Sequence, residues 1–262
     1  MTDRYPHPNL AVTDLGAVQV VRIDREEVLG ALSTELVHAI DTVLADLESR
    51  RDVRCVVLTG TGRGFIAGAD IKEYATASNE VFDEYQRFSR GVFERLATLP
   101  QVTIAAVNGY AFGGGFELAL CCDFIVASEN ARFALPEVKL GLLPGGGGIL
   151  RLADAAGTRW AKDVIISGRT VYPEEALERA IVSHVVPPGE MLDVAIAWAR
   201  AIAAQAPAAV RAIKSLLAQD ERRTTVAAAA ERSALVSLFG SNDGREGVRA
   251  FVGKRAPEFT DE

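Results

Sequence analysis

Apolar residues recur along the chain with two different spacings, and each spacing predicts a local structure. The segments NLAVT and AVQVVRI, on either side of Gly16, are rich in the residues that strands favour, so together they predict a β-hairpin. In residues 33–50 the apolar side chains recur every three or four positions, which places them on one face of a helix. These side chains are Leu36, Val37, Ile40, Val43, Leu44 and Leu47. Ser33 or Thr34 is expected to cap this helix.

Further along, short apolar runs alternate with helical segments. RCVVLTG, VTIAAV and FIVAS predict buried strands, and a helical pattern covers residues 79–98 before Pro100. Strands that alternate with helices indicate an α/β fold. After about residue 190 the chain becomes alanine-rich, and residues 191–219 and 225–240 read as helices. We therefore expect an α/β core over 1–190 and a C-terminal helical region over 191–262, packed on the core or on a neighbouring subunit.

The composition and charge of the chain argue against several classes of function. The chain has 262 residues, a net charge of -7 and a pI near 5.2, which disfavours binding to nucleic acid or to a membrane surface. The start shows no secretory signal, and no apolar run approaches the roughly 20 residues of a membrane span. Three cysteines, two of them adjacent, are a poor basis for disulfides. The expected location is the reducing cytoplasm.

Several common catalytic motifs are absent from the sequence. A dinucleotide fingerprint beginning at Gly60 fails because Phe65 stands where its last glycine is needed. There is no phosphate-binding Gly-Lys-Ser or Gly-Lys-Thr, no Gly-x-Ser-x-Gly and no metal-ligand spacing, so no metal is expected. His38 falls within the amphipathic helix, and Cys121 and Cys122 fall in a short apolar helix. All three are interpreted as structural residues.

Two glycine-containing loops, FIAGAD and AFGGGFE, remain as candidate sites. Small residues allow main-chain N–H groups to approach a ligand closely, and in the second loop those groups begin a helix, where they are unpaired. This combination suits an oxyanion hole, although both loops could equally be tight turns. Glu117 lies in apolar surroundings, where it needs a partner or a function. Glu137 could be a second functional carboxylate or a surface residue, and a separation of twenty residues does not show that the two meet.

Four segments resemble the enoyl-CoA hydratase (crotonase) superfamily in order and spacing. They are GRGFIAGADIKE, AAVNGYAFGGGFELALCCDFIVAS, RFALPEVKLGLLPGGGGILRL and REGVRAFVGKRAPEF. The resemblance implies a spiral of ββα units with a C-terminal helical region used for trimerisation, and trimers that often pair into hexamers. It also implies an acyl-CoA thioester as substrate and no cofactor, since CoA is part of the substrate.

The resemblance further implies a role for each matched residue. Ala69 and Gly114 match the two positions whose N–H groups hold the thioester oxygen. Glu117 matches the glutamate that deprotonates water, Glu137 matches the one that protonates the α-carbon, and Gly145 matches a glycine that also holds the water. Another set matches positions that contact CoA. This set consists of Ala67, Gly68, Asp70, Ile71 and Lys72, together with Phe251 and Lys254, which reach the CoA of a neighbouring subunit.

The implied reaction is the reversible syn addition of water to a trans-2-enoyl-CoA, giving a 3-hydroxyacyl-CoA. Departures from the usual hydratase pattern are Leu135 in place of glutamine, PGGGGILRL in place of PGAGGTQRL, and Gly30 in place of asparagine. NGYAFGGGFELAL and FALPEVKLG also resemble carnitinyl-CoA dehydratases, which tend to have Asp-Ser at positions 145 and 146. Double-bond isomerisation is a further alternative. An RNA-binding branch uses a lysine-rich helix, whereas residues 33–50 contain no lysine.

Overall fold

The computed structural model describes residues 7–74, 79–140 and 143–217, together with residues 242, 255, 258 and 260. The strands are Leu10–Asp14 (β1), Val18–Ile23 (β2), Cys55–Gly60 (β3), Gly64–Ile66 (β4), Val102–Val107 (β5), Tyr110–Phe112 (β6), Phe124–Ser128 (β7), Arg132–Ala134 (β8) and His184–Val186 (β9). The α-helices are Thr34–Ser49 (α1), Ile71–Tyr74 (α2), Asn79–Thr98 (α3), Gly114–Cys121 (α4), Gly148–Ala156 (α5), Thr158–Ser167 (α6), Pro173–Glu178 (α7), Met191–Ala203 (α8) and Pro207–Leu217 (α9). Short 3₁₀ turns occur at Glu26–Val28 and Glu137–Leu140.

Six strands form the larger sheet, in the order β1-β2-β3-β5-β7-β9. Only the predicted hairpin β1–β2 is antiparallel, and every other pair is parallel. All six residues of β5 are buried, as expected for a parallel strand covered on both faces. The hairpin, the three long strands, α1 and α3 confirm the predictions made from the apolar spacing. Ser33 caps α1 by accepting a hydrogen bond from the Leu36 N–H.

A second, three-stranded parallel sheet has the order β4-β6-β8. Each of its strands is only three residues long and follows one strand of the larger sheet: β4 follows β3, β6 follows β5, and β8 follows β7. Helices come after these strand pairs, so the chain repeats a ββα unit. The α/β spiral implied by the resemblance is therefore confirmed. The pattern of apolar residues did not predict the short strands, because they lie within glycine-rich stretches.

The two faces of the larger sheet are covered by different helices. Val56 and Leu58 of β3 point into the main core with α1, α3 and α4, whereas Cys55 and Val57 point into a second core with α8. The buried face of α8 consists of small residues and one methionine, which lets the helix lie close to the strands. The described start of the C-terminal region thus packs on the core.

The predicted helix over 191–219 is interrupted. α8 ends at Ala203 and α9 begins at Pro207, a residue that suits the first turn of a helix because it has no N–H to donate. The predicted helix over 225–240 lies outside the described residues. Among the described residues, the helices are all too short or too polar to cross a membrane.

Candidate active site

The glycines of residues 113–115 allow two loops to meet. Gly113 has a φ of +49°, a left-handed conformation that favours glycine, and it precedes the first residue of α4. A β-carbon at Gly115 would clash with the main-chain carbonyl oxygen of Ile66, at the end of β4. Glycine at this position therefore brings the N-terminus of α4 directly against the loop that follows β4.

The main-chain N–H groups of Ala69 and Gly114, at the edge of the space between these loops, take no part in the described hydrogen bonds that hold the loops. Leu32 donates its N–H to the Gly68 carbonyl and accepts a hydrogen bond from the Asp70 N–H, at 2.8 Å in both cases. Ala69, which lies between these two partners, directs its own N–H away from Leu32, because successive N–H groups of an extended segment point to opposite sides. Gly114 is the first residue of α4, so its N–H has no acceptor within the helix.

Ala69 and Gly114 line a cavity of about 440 Å³ between α3 and the loops. Eight of the residues predicted from the sequence as site residues border this cavity. They are Ala67, Gly68, Ala69, Ile71, Gly114, Glu117, Glu137 and Gly145. The two glutamates, which the sequence could not bring together, thus lie on one cavity with both N–H groups.

Glu117 is only 4% exposed, and its position is fixed by hydrogen bonds from the main chain. The N–H groups of Gly146 and Gly148 donate to its Oε1 at 2.8 and 2.9 Å. Burial raises the pKa of Glu117, and these two hydrogen bonds oppose that effect by favouring the carboxylate. Because both donors use Oε1, neither of them occupies Oε2.

Glu137 stands across the cavity, at the start of the 3₁₀ turn that follows Pro136. Its Oε2 is buried and accepts no hydrogen bond from any residue that the structure describes. Its Oε1 lies 3.0 Å from the point where a β-carbon of Gly113 would stand. Burial raises the pKa of Glu137 to about 7, with a further increase from the charge of Glu117. At neutral pH a large fraction of Glu137 therefore carries a proton that it can donate.

A family model described as "Enoyl-CoA hydratase/isomerase" matches residues 14–262. The chain belongs to this family. A probable enoyl-CoA hydratase of Rhizobium meliloti (strain 1021) is 39% identical over 254 residues, which cover 97% of this chain and 98% of that protein. A short-chain-enoyl-CoA hydratase of Clostridium acetobutylicum is 37% identical over 252 residues, covering 95% and 97%.

Solved structures of enoyl-CoA hydratases share the fold. The crystal structure of an enoyl-CoA hydratase from Bacillus anthracis superimposes with a TM-score of 0.94 at 35% identity, and the match covers 97% of this chain and 100% of that one. The resemblance that four sequence segments suggested is thus confirmed over nearly the whole chain.

Of the four other site residues predicted for this enoyl-CoA hydratase/isomerase family member, only Asp70 has a described side chain, and Asp70 is not among the residues that line the cavity. The carboxylate of Asp70 pairs with Arg25 at 3.0 Å, and Arg25 also donates to the Ala31 carbonyl at 2.7 Å. Asp70 thus helps to hold the loop that carries Ala69, and a contact between Asp70 and CoA stays a prediction. The Lys72 side chain, Phe251 and Lys254 lie outside the described part of the chain, so their contacts with CoA also stay predictions.

The hydrogen bonds from Gly146 and Gly148 to Glu117 were missed from the sequence. The resemblance assigned a comparable donor role to Gly145, which borders the cavity. Main-chain donors have no side-chain signature, and the only signal was the run of four glycines from 145 to 148. Side chains of α3 that line the cavity were missed for a different reason, since the spacing alone did not show which face of α3 is buried.

The structural interpretation of the histidine and the cysteines is consistent with their surroundings. His38 stacks on Phe88 with ring centroids 4.1 Å apart, and Cys121 belongs to the main core. Among the described residues, no three His, Cys, Asp or Glu side chains are grouped closely enough to hold a metal ion.

Proposed function

We propose that this protein is an enoyl-CoA hydratase, which adds water reversibly to a trans-2-enoyl-CoA and gives a 3-hydroxyacyl-CoA. The observation that carries the proposal is the cavity itself. It is bordered by Ala69 and Gly114, whose main-chain N–H groups have no acceptor within their own loop or helix. It is also bordered by two carboxyl groups, one that accepts two main-chain hydrogen bonds and one with a buried oxygen that accepts none from the described residues. The family includes isomerases as well as hydratases, so the choice between these two activities rests on the acid–base groups in the cavity.

In the proposed reaction, the thioester carbonyl oxygen binds between the N–H groups of Ala69 and Gly114. Attack of water on C3 moves negative charge onto that oxygen and forms an enolate. N–H groups that are already in place stabilise this charge without any rearrangement, and one donor of this kind contributes about 2.7–4 kcal/mol in known sites. The dipole of α4 adds to the effect, because its positive end points at the same oxygen.

Glu117 and Glu137 have different tasks in this proposal. Glu117 accepts a proton from the attacking water, because the N–H groups of Gly146 and Gly148 stabilise its carboxylate form. Glu137 gives a proton to C2, because its pKa of about 7 leaves it partly protonated at neutral pH. The hydroxyl group on C3 then comes from the water that Glu117 deprotonates, and the new hydrogen on C2 comes from Glu137. Glu117 must afterwards lose its proton and Glu137 regain one, by exchange with solvent, before the next turnover. Isomerisation needs only one acid–base group to move a proton, so the presence of two favours hydration.

The oligomeric state, the location in the cell and the contacts between subunits are also part of the proposal, and they rest on the family resemblance. We expect a homotrimer or a dimer of trimers in the cytoplasm, in which Phe251 and Lys254 contact the CoA of the neighbouring subunit. No cofactor other than the substrate's own CoA is expected. Lys254→Ala should weaken CoA binding, and mixing it with wild-type subunits should show that the defect belongs to the adjacent site. Unchanged affinity in the variant would count against this contact.

Incubation with crotonyl-CoA in heavy-oxygen water tests the proposed activity. Loss of the conjugated-enoyl absorbance, with one heavy oxygen in a 3-hydroxybutyryl-CoA product, is the expected result. An unchanged absorbance together with a shift of the double bond in a 3-enoyl-CoA substrate would instead identify an isomerase.

A further inference from the structure

The wall of the cavity that α3 contributes combines aromatic and polar side chains. Three aromatic residues line it together with four polar or charged ones: Phe82, Tyr85, Phe93, Gln86, Arg87, Ser89 and Arg90. Gln86, Arg90 and Phe93 lie on one face of the helix, because they are spaced by four and three residues. Pockets for apolar groups are lined mainly by apolar and aromatic side chains, with a few polar groups placed for specificity. The guanidinium group of Arg90 is therefore a candidate for a specific contact with a polar or charged part of the substrate.

Two neighbours of Arg90 on the same face of α3 pack against the glycine segment beside Glu117. Oε1 of Gln86 lies 2.5 Å from the point where a β-carbon of Gly145 would stand, and the Phe93 ring is equally close to that point at Gly146. Arg90 lies one helical turn after Gln86 and about one turn before Phe93, so it faces the same segment. Gly146, in this segment, also donates its N–H to Oε1 of Glu117. Arg90 thus belongs to the part of the cavity that contains Glu117.

The charge of Arg90 acts on the carboxylate of Glu117 without forming an ion pair with it. Arg90 forms no hydrogen bond or ion pair with any residue in the described part of the chain, whereas Arg95 on the same helix pairs with Asp41 and Glu48. The Arg90 side chain is exposed to the cavity and solvent. Burial raises the pKa of Glu117, and Arg90 is among the cations that lower it.

The phosphates of CoA are not suitable partners for Arg90. When the thioester oxygen lies between Ala69 and Gly114, the long pantetheine arm separates the phosphates from the reacting carbons. The acyl chain extends in the other direction, past C3 and past Glu117. Apart from Glu117, an anion of the bound substrate that meets Arg90 is therefore one carried by the acyl group.

We infer that the preferred substrate is an enoyl-CoA whose acyl chain carries a carboxylate shortly beyond C3, and that Arg90 binds this carboxylate. The inference rests on the proposed hydration and specifies its substrate class. Arginine suits the task because its planar guanidinium can donate two parallel hydrogen bonds to one carboxylate. The same charge repels a trimethylammonium group at C4, so it disfavours the carnitinyl-CoA dehydratase activity that two sequence segments resemble.

Three substrates with the same 2-enoyl thioester and a negative, neutral or positive group on C4 test the inference. Glutaconyl-CoA carries a carboxylate there, crotonyl-CoA carries only hydrogen, and crotonobetainyl-CoA carries a trimethylammonium group. We expect kcat/KM for hydration to fall in that order, by about tenfold or more between the first two, as expected for a hydrogen-bonded ion pair. Arg90→Leu should remove the preference, and Arg90→Lys should keep part of it. Arg95→Leu, which removes a positive charge from α3 outside the cavity, should leave the ratio unchanged.

Binding of saturated analogues separates this inference from the hydration itself. Glutaryl-CoA and butyryl-CoA differ by the same carboxylate and cannot be hydrated. Calorimetry should show tighter binding of glutaryl-CoA to the wild type, and equal binding of both to Arg90→Leu. If carboxylate binding depends on Arg90 while no enoyl-CoA is hydrated, the proposed activity is wrong and the carboxylate site stands. If crotonyl-CoA is hydrated as efficiently as glutaconyl-CoA, or if Arg90→Leu keeps the wild-type ratio, the carboxylate inference is wrong and hydration stands.

Discussion

Gly148 lies so close to Glu117 that one added methyl group tests how accurately the carboxylate must be placed. In Gly148→Ala the new β-carbon would stand 2.8 Å from Cγ and 3.0 Å from Oε1 of Glu117. Nonbonded carbon atoms prefer separations of about 3.5–4.0 Å, so the Glu117 side chain must move by roughly 0.7–1.2 Å. Leu135 limits the escape of the methyl group, because its Cδ1 would be only 3.2 Å away.

The expected consequence is a large loss of turnover with a modest loss of stability. A misplacement of about 1 Å can cost 10²-fold in rate, so kcat for crotonyl-CoA hydration should fall by about 10- to 100-fold. Gly148 does not have a positive φ, so alanine fits its backbone conformation, and alanine favours a helix over glycine by up to about 1 kcal/mol. Crowding of the buried Glu117 and Leu135 side chains opposes this gain, since overpacking typically costs about 1–3 kcal/mol. The unfolding temperature should therefore fall only modestly, and affinity for a saturated acyl-CoA should be largely kept.

Gly91→Ala provides the matched control. Gly91 lies in α3, and nothing stands within 4 Å of its β-carbon position, so the same substitution there should preserve kcat and slightly raise stability. Wild-type turnover in Gly148→Ala would refute the reasoning that Glu117 acts from a fixed position. Equal losses in both variants would show that the effect does not come from the contact with Glu117.

Four other predictions follow from the site and its electrostatics. Glu117→Gln and Glu137→Gln should each lower kcat by about 10²–10⁴ and leave acyl-CoA binding largely intact; near-wild-type turnover in either variant removes that residue from the mechanism. Because hydration needs protonated Glu137, kcat should fall as the pH rises through about 7, and a flat profile over that range would exclude Glu137 as the acid. The same raised pKa means that the folded state binds the proton more tightly than the unfolded state, so stability relative to Glu137→Gln should fall from pH 4.5 to about 7. Arg25→Ala should lower kcat and destabilise the protein by about 1–3 kcal/mol, because the ion pair with Asp70 and the hydrogen bond to the Ala31 carbonyl that support the Ala69 loop are lost; an unchanged rate and unfolding temperature would contradict this role.

The long elements were predictable because their burial leaves a clear trace in the sequence. β5 is apolar at nearly every position since both of its faces are covered, and α1 repeats apolar residues on the one face that packs on the sheet. The short strands of the second sheet leave no such trace. β4 spans only Gly64–Ile66, where a glycine and two apolar residues suit a loop equally well. Tertiary packing, not local preference, makes this segment a strand.

The site was predictable in its components but not in its geometry. Glycines beside an apolar carboxylate suggested the N–H groups and Glu117, and family resemblance was needed to connect Glu117 with Glu137. The support of Glu117 comes from main-chain atoms, whose direction depends on the path of residues 145–148 and on no side chain. Arg90 was not singled out, because its significance appears only once the cavity-facing side of α3 is known.

The most direct test is a single turnover of crotonyl-CoA in water that contains both heavy oxygen and deuterium. If the two glutamates add water across C2 and C3, the wild-type product carries one heavy oxygen at C3 and one deuterium at C2. Glu117→Gln and Glu137→Gln should then form almost no labelled product in the same time. A wild-type product that lacks either label, or undiminished labelling in either variant, would contradict the proposed mechanism.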